Sequence, residues 1–234
     1  MNYIDYFILA ILFISALYGI YNGFVVSFLG AISFFISWIG SFIFYPLVSK
    51  LLLVKYPDLL DKIIYYTEGA SRIKSIEERA ISAFSLNQNQ ITDIVNRAEL
   101  PPPFDRLILS NLTNQNIDQI STVGDYFNYT VASIILNMIC FLLLFVIIRI
   151  VCSILISIAK DVVGLPVLKR NDQVLAAVMG VINGAFLVFF IVSLVPILLT
   201  LAPFENFYTY IEDSTLSNFF FKYNIFTNLV KGYI

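Results

Sequence analysis

The fold is decided by residues 6–49, YFILAILFISALYGIYNGFVVSFLGAISFFISWIGSFIFYPLVS, 44 positions without one charged side chain. Wound as one α-helix they would run about 66 Å, roughly twice the hydrocarbon core of a bilayer. The stretch therefore folds back on itself. Gly19-Ile20-Tyr21-Asn22-Gly23 is the natural turn, because glycine and asparagine adopt backbone conformations that other residues avoid. This predicts helix 1 at about 3–20 and helix 2 at about 24–48. Pro46 then falls near the end of helix 2, where a missing N–H costs least.

Working outward, Tyr126–Ile148 is a second uncharged run, long enough for one crossing and closed by Arg149. Apolar residues resume through Ala159, so this helix, at about 127–159, overruns the bilayer or tilts. Gln173–Phe204 is uncharged over 32 residues and gives a fourth helix at about 174–202, with a kink expected at Pro196.

Between the second and third helices, Lys55–Asp125 carries 17 of the 30 charged residues yet keeps helical apolar spacing. Ser75-Ile76-Glu77-Glu78 is a capping-box pattern leading into a helix, and Ile91, Ile94 and Val95 follow the i, i+3, i+4 rule. Pro101-Pro102-Pro103 interrupts any helix. Beyond Glu205, Leu216, Phe219, Phe220 and Tyr223 share one helical face, which predicts a short interfacial helix. The expected fold class is an all-α integral membrane protein: four transmembrane helices in two hairpins, with a helical polar insert between helices 2 and 3. The segments are hairpin 1 at 1–50, the insert at 51–125, hairpin 2 at 126–203 and an interfacial tail at 204–234.

Composition agrees. Hydrophobic residues make up 59% and charged residues 13%, about half the charge of a soluble domain. A net charge of −2 offers no basic footprint for nucleic acid. The absence of histidine removes the usual general base and the commonest metal ligand, and with them the Ser-His-Asp and Cys-His arrangements. Cys140 and Cys152 lie in one helix about 18 Å apart, too far to pair with each other. No phosphate-binding loop, zinc spacing or paired intramembrane carboxylates are present. No catalytic residue, metal or cofactor is expected, and the chain reads as a non-enzyme.

Met1–Asp5 carries no basic leader, so the first apolar stretch reads as a retained helix. Lys160, Lys169 and Arg170 between helices 3 and 4 place that connector in the cytoplasm by the positive-inside rule, together with the first turn. Lys50, Lys55 and Lys62 weigh the other way.

Several residues stand out within the spans. Ala176, Gly180 and Gly184 are small residues four apart on helix 4, and Ser33, Ser37 and Ser41 repeat that spacing on helix 2. Both patterns suit close helix packing, within the chain or in an oligomer. Arg149, Ser153 and Ser157 form a candidate polar stripe. Arg149 either snorkels to headgroup level or faces a cavity, and a mid-bilayer arginine costs about 2.5–3.5 kcal/mol. Asp5 suits the positive end of helix 1. Asn137 and Asn183 are expected to bond between helices. The Asn-x-Ser/Thr matches at Asn111 and Asn128 are chance-level patterns.

Two segments resemble the colicin V production protein (CvpA) family. Ile4-Asp5-Tyr6, an apolar helix, and then Asn22-Gly23-Phe24-Val25 are similar to the family's N-terminal Asp and its basic-Gly-Phe-Val turn. Gly164-Leu165, Asp172, Leu175, Gly180 and Gly184 are similar to its loop into the last helix. The chain departs from the family at Asn22 and Asn183, where a basic residue is common, and at Val26 and Ser27, where charges are common. The resemblance covers 1–50 and about 130–200. The middle segment resembles only longer members, including Leu100-Pro101-Pro102.

The resemblance implies a multi-pass protein of the bacterial cytoplasmic membrane linked to toxin production or export, or to a broader envelope role. The leading expectation is a non-enzymatic accessory or scaffold protein. Its contacts would be the lipid bilayer and a membrane or envelope protein partner, or a second copy of itself in a homo-oligomer, and the insert would be its docking surface. The alternative is an oligomeric small transporter or channel subunit, with the helix 2 serines and the Arg149 stripe as linings.

Overall fold

The computed structural model describes residues 2–114, 120–163, 172–201, 211, 213–227 and 230–234. Among them the chain is helical, without a strand and with one isolated antiparallel bridge between Ser82 and Thr122. Four helices are long and apolar enough to cross a membrane, over Tyr3–Asn22, Phe24–Lys55, Val123–Ala159 and Asp172–Thr200. Their outward faces carry Phe13, Ile43, Leu155 and many similar side chains, all exposed. A water-soluble surface does not carry contiguous apolar area on this scale, so the protein is a membrane protein.

α1 (Tyr3–Asn22) opens with a capping box. The Asn2 side chain accepts from the N–H groups of Ile4 and Asp5, and the Asp5 carboxylate accepts from the N–H of Asn2 at 2.8 Å. α1 runs through Gly19 and Asn22, and the turn is Gly23 alone, at φ 80° and ψ 167°. The five-residue turn read at Gly19–Gly23 is therefore corrected to one residue. α2 (Phe24–Lys55) begins immediately after it. α2 also carries Pro46 inside the helix, nine residues before its end, instead of near a terminus. Membrane helices tolerate proline because neighbouring groups take up the freed carbonyl.

Five short helical stretches come next: α3 (Leu59–Thr67), a 3₁₀ turn (Gly69–Arg72), α4 (Ile76–Ala80), a second 3₁₀ turn (Ala83–Ser85) and α5 (Gln88–Arg97). α6 (Phe104–Asn114) starts directly after Pro101-Pro102-Pro103. Ser75 caps α4 by accepting from the N–H of Glu78, and α4 ends after five residues at Ala80. Ile91, Ile94 and Val95 form the buried face of α5, which packs on α6, where Phe104 and Ile108 are buried.

α7 (Val123–Val163) is one continuous helix of 41 residues. α8 (Asp172–Val192) and α9 (Val195–Leu201) are separated by Ser193-Leu194. The break lies just before Pro196, which has no N–H to give to the carbonyl of Val192. α10 (Thr215–Lys222) forms in the tail. Phe220 is buried and Leu216 packs on the same cluster, whereas Phe219 and Tyr223 are exposed, so the four aromatic and apolar positions do not share one environment.

Packing divides the chain into two compact units. The first takes the described residues of Met1–Phe44, Leu142–Val195 and Phe204–Phe226. Its core joins α1, α8 and α10 through Ile8, Val188, Val192 and Phe220, and adds an aromatic cluster of Phe34, Phe145, Phe186, Phe190 and Phe226. The second takes the described residues of Tyr45–Phe141, Pro196–Pro203 and Thr227–Ile234. There the N–H of Ala70 donates to the Asn128 side chain at 2.8 Å, and Asn111 donates to Thr130 and to the carbonyl of Gly232. Both Asn-x-Ser/Thr asparagines are thus engaged in packing.

Candidate functional site

The residues singled out in the first unit fall into three linked arrangements. The first is at Gly23. The opening N–H groups of a helix have no partner within it, and at α2 the N–H of Phe24 donates to the Asp172 carboxylate at 3.1 Å. Asp172 is buried and is the first residue of α8. One carboxylate therefore joins the turn after α1 to the start of α8. We expect Asp172→Ala to cost about 0.5–2 kcal/mol, the usual loss of a helix cap, and Asp172→Asn to cost less because its amide oxygen still accepts. Thermal unfolding in detergent would check the order.

The second arrangement is the seam between α1 and α8. Ala176, Gly180 and Gly184 face α1. A Cβ on Gly180 would stand 3.0 Å from the Cα of Ala16 and 3.1 Å from that of Gly19. On Gly184 it would stand 2.7 Å from the Cβ of Ser15. Gly19 therefore serves close helix approach instead of a turn. Ser33, Ser37 and Ser41 are buried, but their hydroxyls donate back to carbonyls of their own helix, Gly30, Ser33 and Ser37.

The third is a cavity of about 510 Å³ walled by α1, α2, α7 and α8. Arg149 lines it and donates from Nη1 to the carbonyl of Gly30 at 2.6 Å. Both serines are exposed, but only Ser153 lies on the wall; Ser157 is off it. Asn183 donates across to the carbonyl of Ser27 at 2.9 Å, as expected of an interhelical amide. Its Oδ1 is shielded and accepts no hydrogen bond among the described residues. Asn137 differs from expectation. Within the second unit it donates to the carbonyls of Lys231 and Tyr233, near the chain's end, and not to another helix.

Asp5 holds more than the start of α1. It is fully buried, and its Oδ1 accepts from the Ser214 hydroxyl at 2.6 Å and from the N–H of Leu216 at 3.0 Å. Ser214 in turn caps α10. No sequence signal pairs two residues this far apart, although Ser214 before an apolar run was readable as a helix cap. Gly164 lies outside the described residues.

Asp5, Gly23, Phe24, Asp172, Gly180 and Gly184 thus occupy joints: one carboxylate at each end of the unit, and a glycine seam between α1 and α8. A family model described as colicin V production protein matches residues 4–78 and 116–224. The matched ranges contain every one of these joints and the whole cavity wall, and leave out most of α4 to α6. Searches of curated proteins and of solved structures return no match. With most of its length covered by that model, the chain belongs to the colicin V production protein family.

Proposed function

We propose that the chain is a non-enzymatic accessory or scaffold protein of the bacterial cytoplasmic membrane, serving toxin production or export or envelope homeostasis. Two transmembrane hairpins carry it, and the polar insert between them is the surface offered to a protein partner. The bond from Phe24 to Asp172 supports placing the first turn and the start of α8 at the same membrane face, the cytoplasmic one.

One observation carries the docking reading. The insert has a packed interior of Ile91, Ile94, Phe104 and Ile108, yet Ile76 and Phe84 stay outside it, 77% and 64% exposed. A segment that has such an interior and still leaves Ile76 and Phe84 exposed, with Tyr65 and Tyr66, presents them for contact. The test is to purify the tagged protein from its native membrane in mild detergent and measure the mass and composition of the particle. A stoichiometric second protein is expected, lost from the double variant Ile76→Glu, Phe84→Glu at unchanged yield. Retention of the partner by that variant would remove the insert surface from the proposal. A homo-oligomer without a partner would favour the alternative, a transporter or channel subunit built around the Arg149 cavity.

A further inference from the structure

We propose that the Arg149 cavity is a lipid site that takes the headgroup of an anionic phospholipid, with phosphatidylglycerol as the fitting chemical class. The inference is independent of the docking role proposed for the insert.

A guanidinium keeps its charge and offers five donors. Arg149 gives one of them to the neutral carbonyl of Gly30, and among the described residues no carboxylate pairs with it. Its flanking sequence, Phe141–Ile148 and Ile150–Cys152, is wholly apolar, so the cation sits inside a membrane-spanning helix. Charges in that position are paired or serve a ligand. Planar guanidinium groups suit phosphate oxygens, which they grip with two parallel bonds.

The second observation is what the neighbouring wall leaves open. The Gly30 carbonyl receives Arg149, and the Asn183 amide beside it gives Nδ2 to the carbonyl of Ser27 while its Oδ1 is closed off from the cavity. The charged donors facing a ligand here are therefore the remaining ones of Arg149, and they call for an anion.

The third observation is the route. The cavity volume is within the ordinary range for a ligand site. Its wall includes Ile14, Tyr18, Ile150 and Leu187, which are exposed on helices that face lipid. An acyl chain can lie along this apolar rim while the headgroup reaches inward. A small anion dissolved in water gains nothing from such a rim.

The test is native mass spectrometry of the full chain in mild detergent, titrated with phosphatidylglycerol or phosphatidylcholine. One phosphatidylglycerol is expected to stay bound, with phosphatidylcholine held more weakly because it carries a compensating cation. Arg149→Gln should weaken phosphatidylglycerol binding about tenfold or more, the scale of a lost charge-assisted hydrogen bond. Arg97→Gln, outside the spans, should leave it unchanged. Ser153→Trp narrows the cavity without removing the cation, and should also expel the lipid, which covers the case that Arg149→Gln does not fold. Equal binding of both lipids, no retained lipid, or full binding by Ser153→Trp would overturn the proposal. Displacement of the lipid by millimolar inorganic phosphate would assign the site to a free anion and overturn the lipid reading.

Discussion

Gly180→Leu is expected to leave little folded protein in the membrane, and what remains should melt about 2–12 °C below the parent. The reason is the identity of the atoms it would strike. A Cβ at Gly180 lies 3.0 Å from the Cα of Ala16, and nearer still to the carbonyl oxygen of Ser15. These are backbone atoms of α1, which cannot rotate away. A leucine there forces α1 and α8 apart along their whole contact, and the core of Ile8, Val188 and Val192 rests on the same interface. Overpacking of this kind costs about 1–3 kcal/mol and sometimes more, and helices in lipid have little hydrophobic drive to restore the contact. Gly40→Ala is the matched control. Its new Cβ meets only Cδ1 of Ile148 at 3.0 Å, the mobile end of a side chain. It should cost under about 1 kcal/mol. Fluorescence-detected size-exclusion after a heating series reads both variants. Equal melting of Gly180→Leu and the parent would show that α1 and α8 do not approach this closely.

The same glycines show what sequence conveys and what it withholds. Spans were legible because lipid imposes a composition rule on every residue it touches: runs without charge read directly as helices, and the four candidate spans follow them. The small residues at 176, 180 and 184 were legible as a packing face for a similar reason, since their spacing returns them to one side of a helix. Which helix they meet was not legible. Gly19 is the counterpart on α1, yet a glycine permits both a turn and a close approach, and nothing local distinguishes the two.

Ser153 and Ser157 illustrate the limit of spacing over distance. At 100° per residue, Ser153 is about 40° from the direction of Arg149 and Ser157 about 80°, so only the first remains on the cavity wall. The cavity itself was not legible as an enclosure. It needs four helices, and Asn183 signals only that some polar contact exists, not that half of its amide stays unmatched.

Asp5→Ala should release the tail helix, and it is the other change with a large expected effect. One carboxylate serves two helix starts: Oδ2 accepts from the N–H of Asn2 at α1, and Oδ1 accepts from the Ser214 hydroxyl and the N–H of Leu216 at α10. Asp5 and Ser214 are both 0% exposed, and the bond between them is buried. Removing the carboxylate takes the acceptor from the Ser214 hydroxyl inside the protein and from the N–H of Leu216 at its edge. Hydrogen bonds to a charged group are stronger than neutral ones, so losing the Asp5 carboxylate is expected to loosen the seat of α10.

The local readout is a cysteine at position 217, introduced by Ser217→Cys in a background without Cys140 and Cys152. Ser217 is 2% exposed, and the bond it gives to Ser214 comes from its backbone N–H, so the probe keeps the cap. In the parent this thiol should resist a membrane-permeant maleimide. In Asp5→Ala it should label many times faster, while a cysteine placed at exposed Tyr223 should label equally in both. Asp5→Asn should fall between, because an amide oxygen replaces one acceptor and the charge is lost. Ser214→Ala added to Asp5→Ala should cost less than the sum of the two, since the second change removes one of the donors the first had orphaned. Full additivity, or a thiol at 217 that stays protected in Asp5→Ala, would mean that the apolar seat of Phe220 against α1 and α8 holds the tail by itself. The buried carboxylate would then matter for α1 alone.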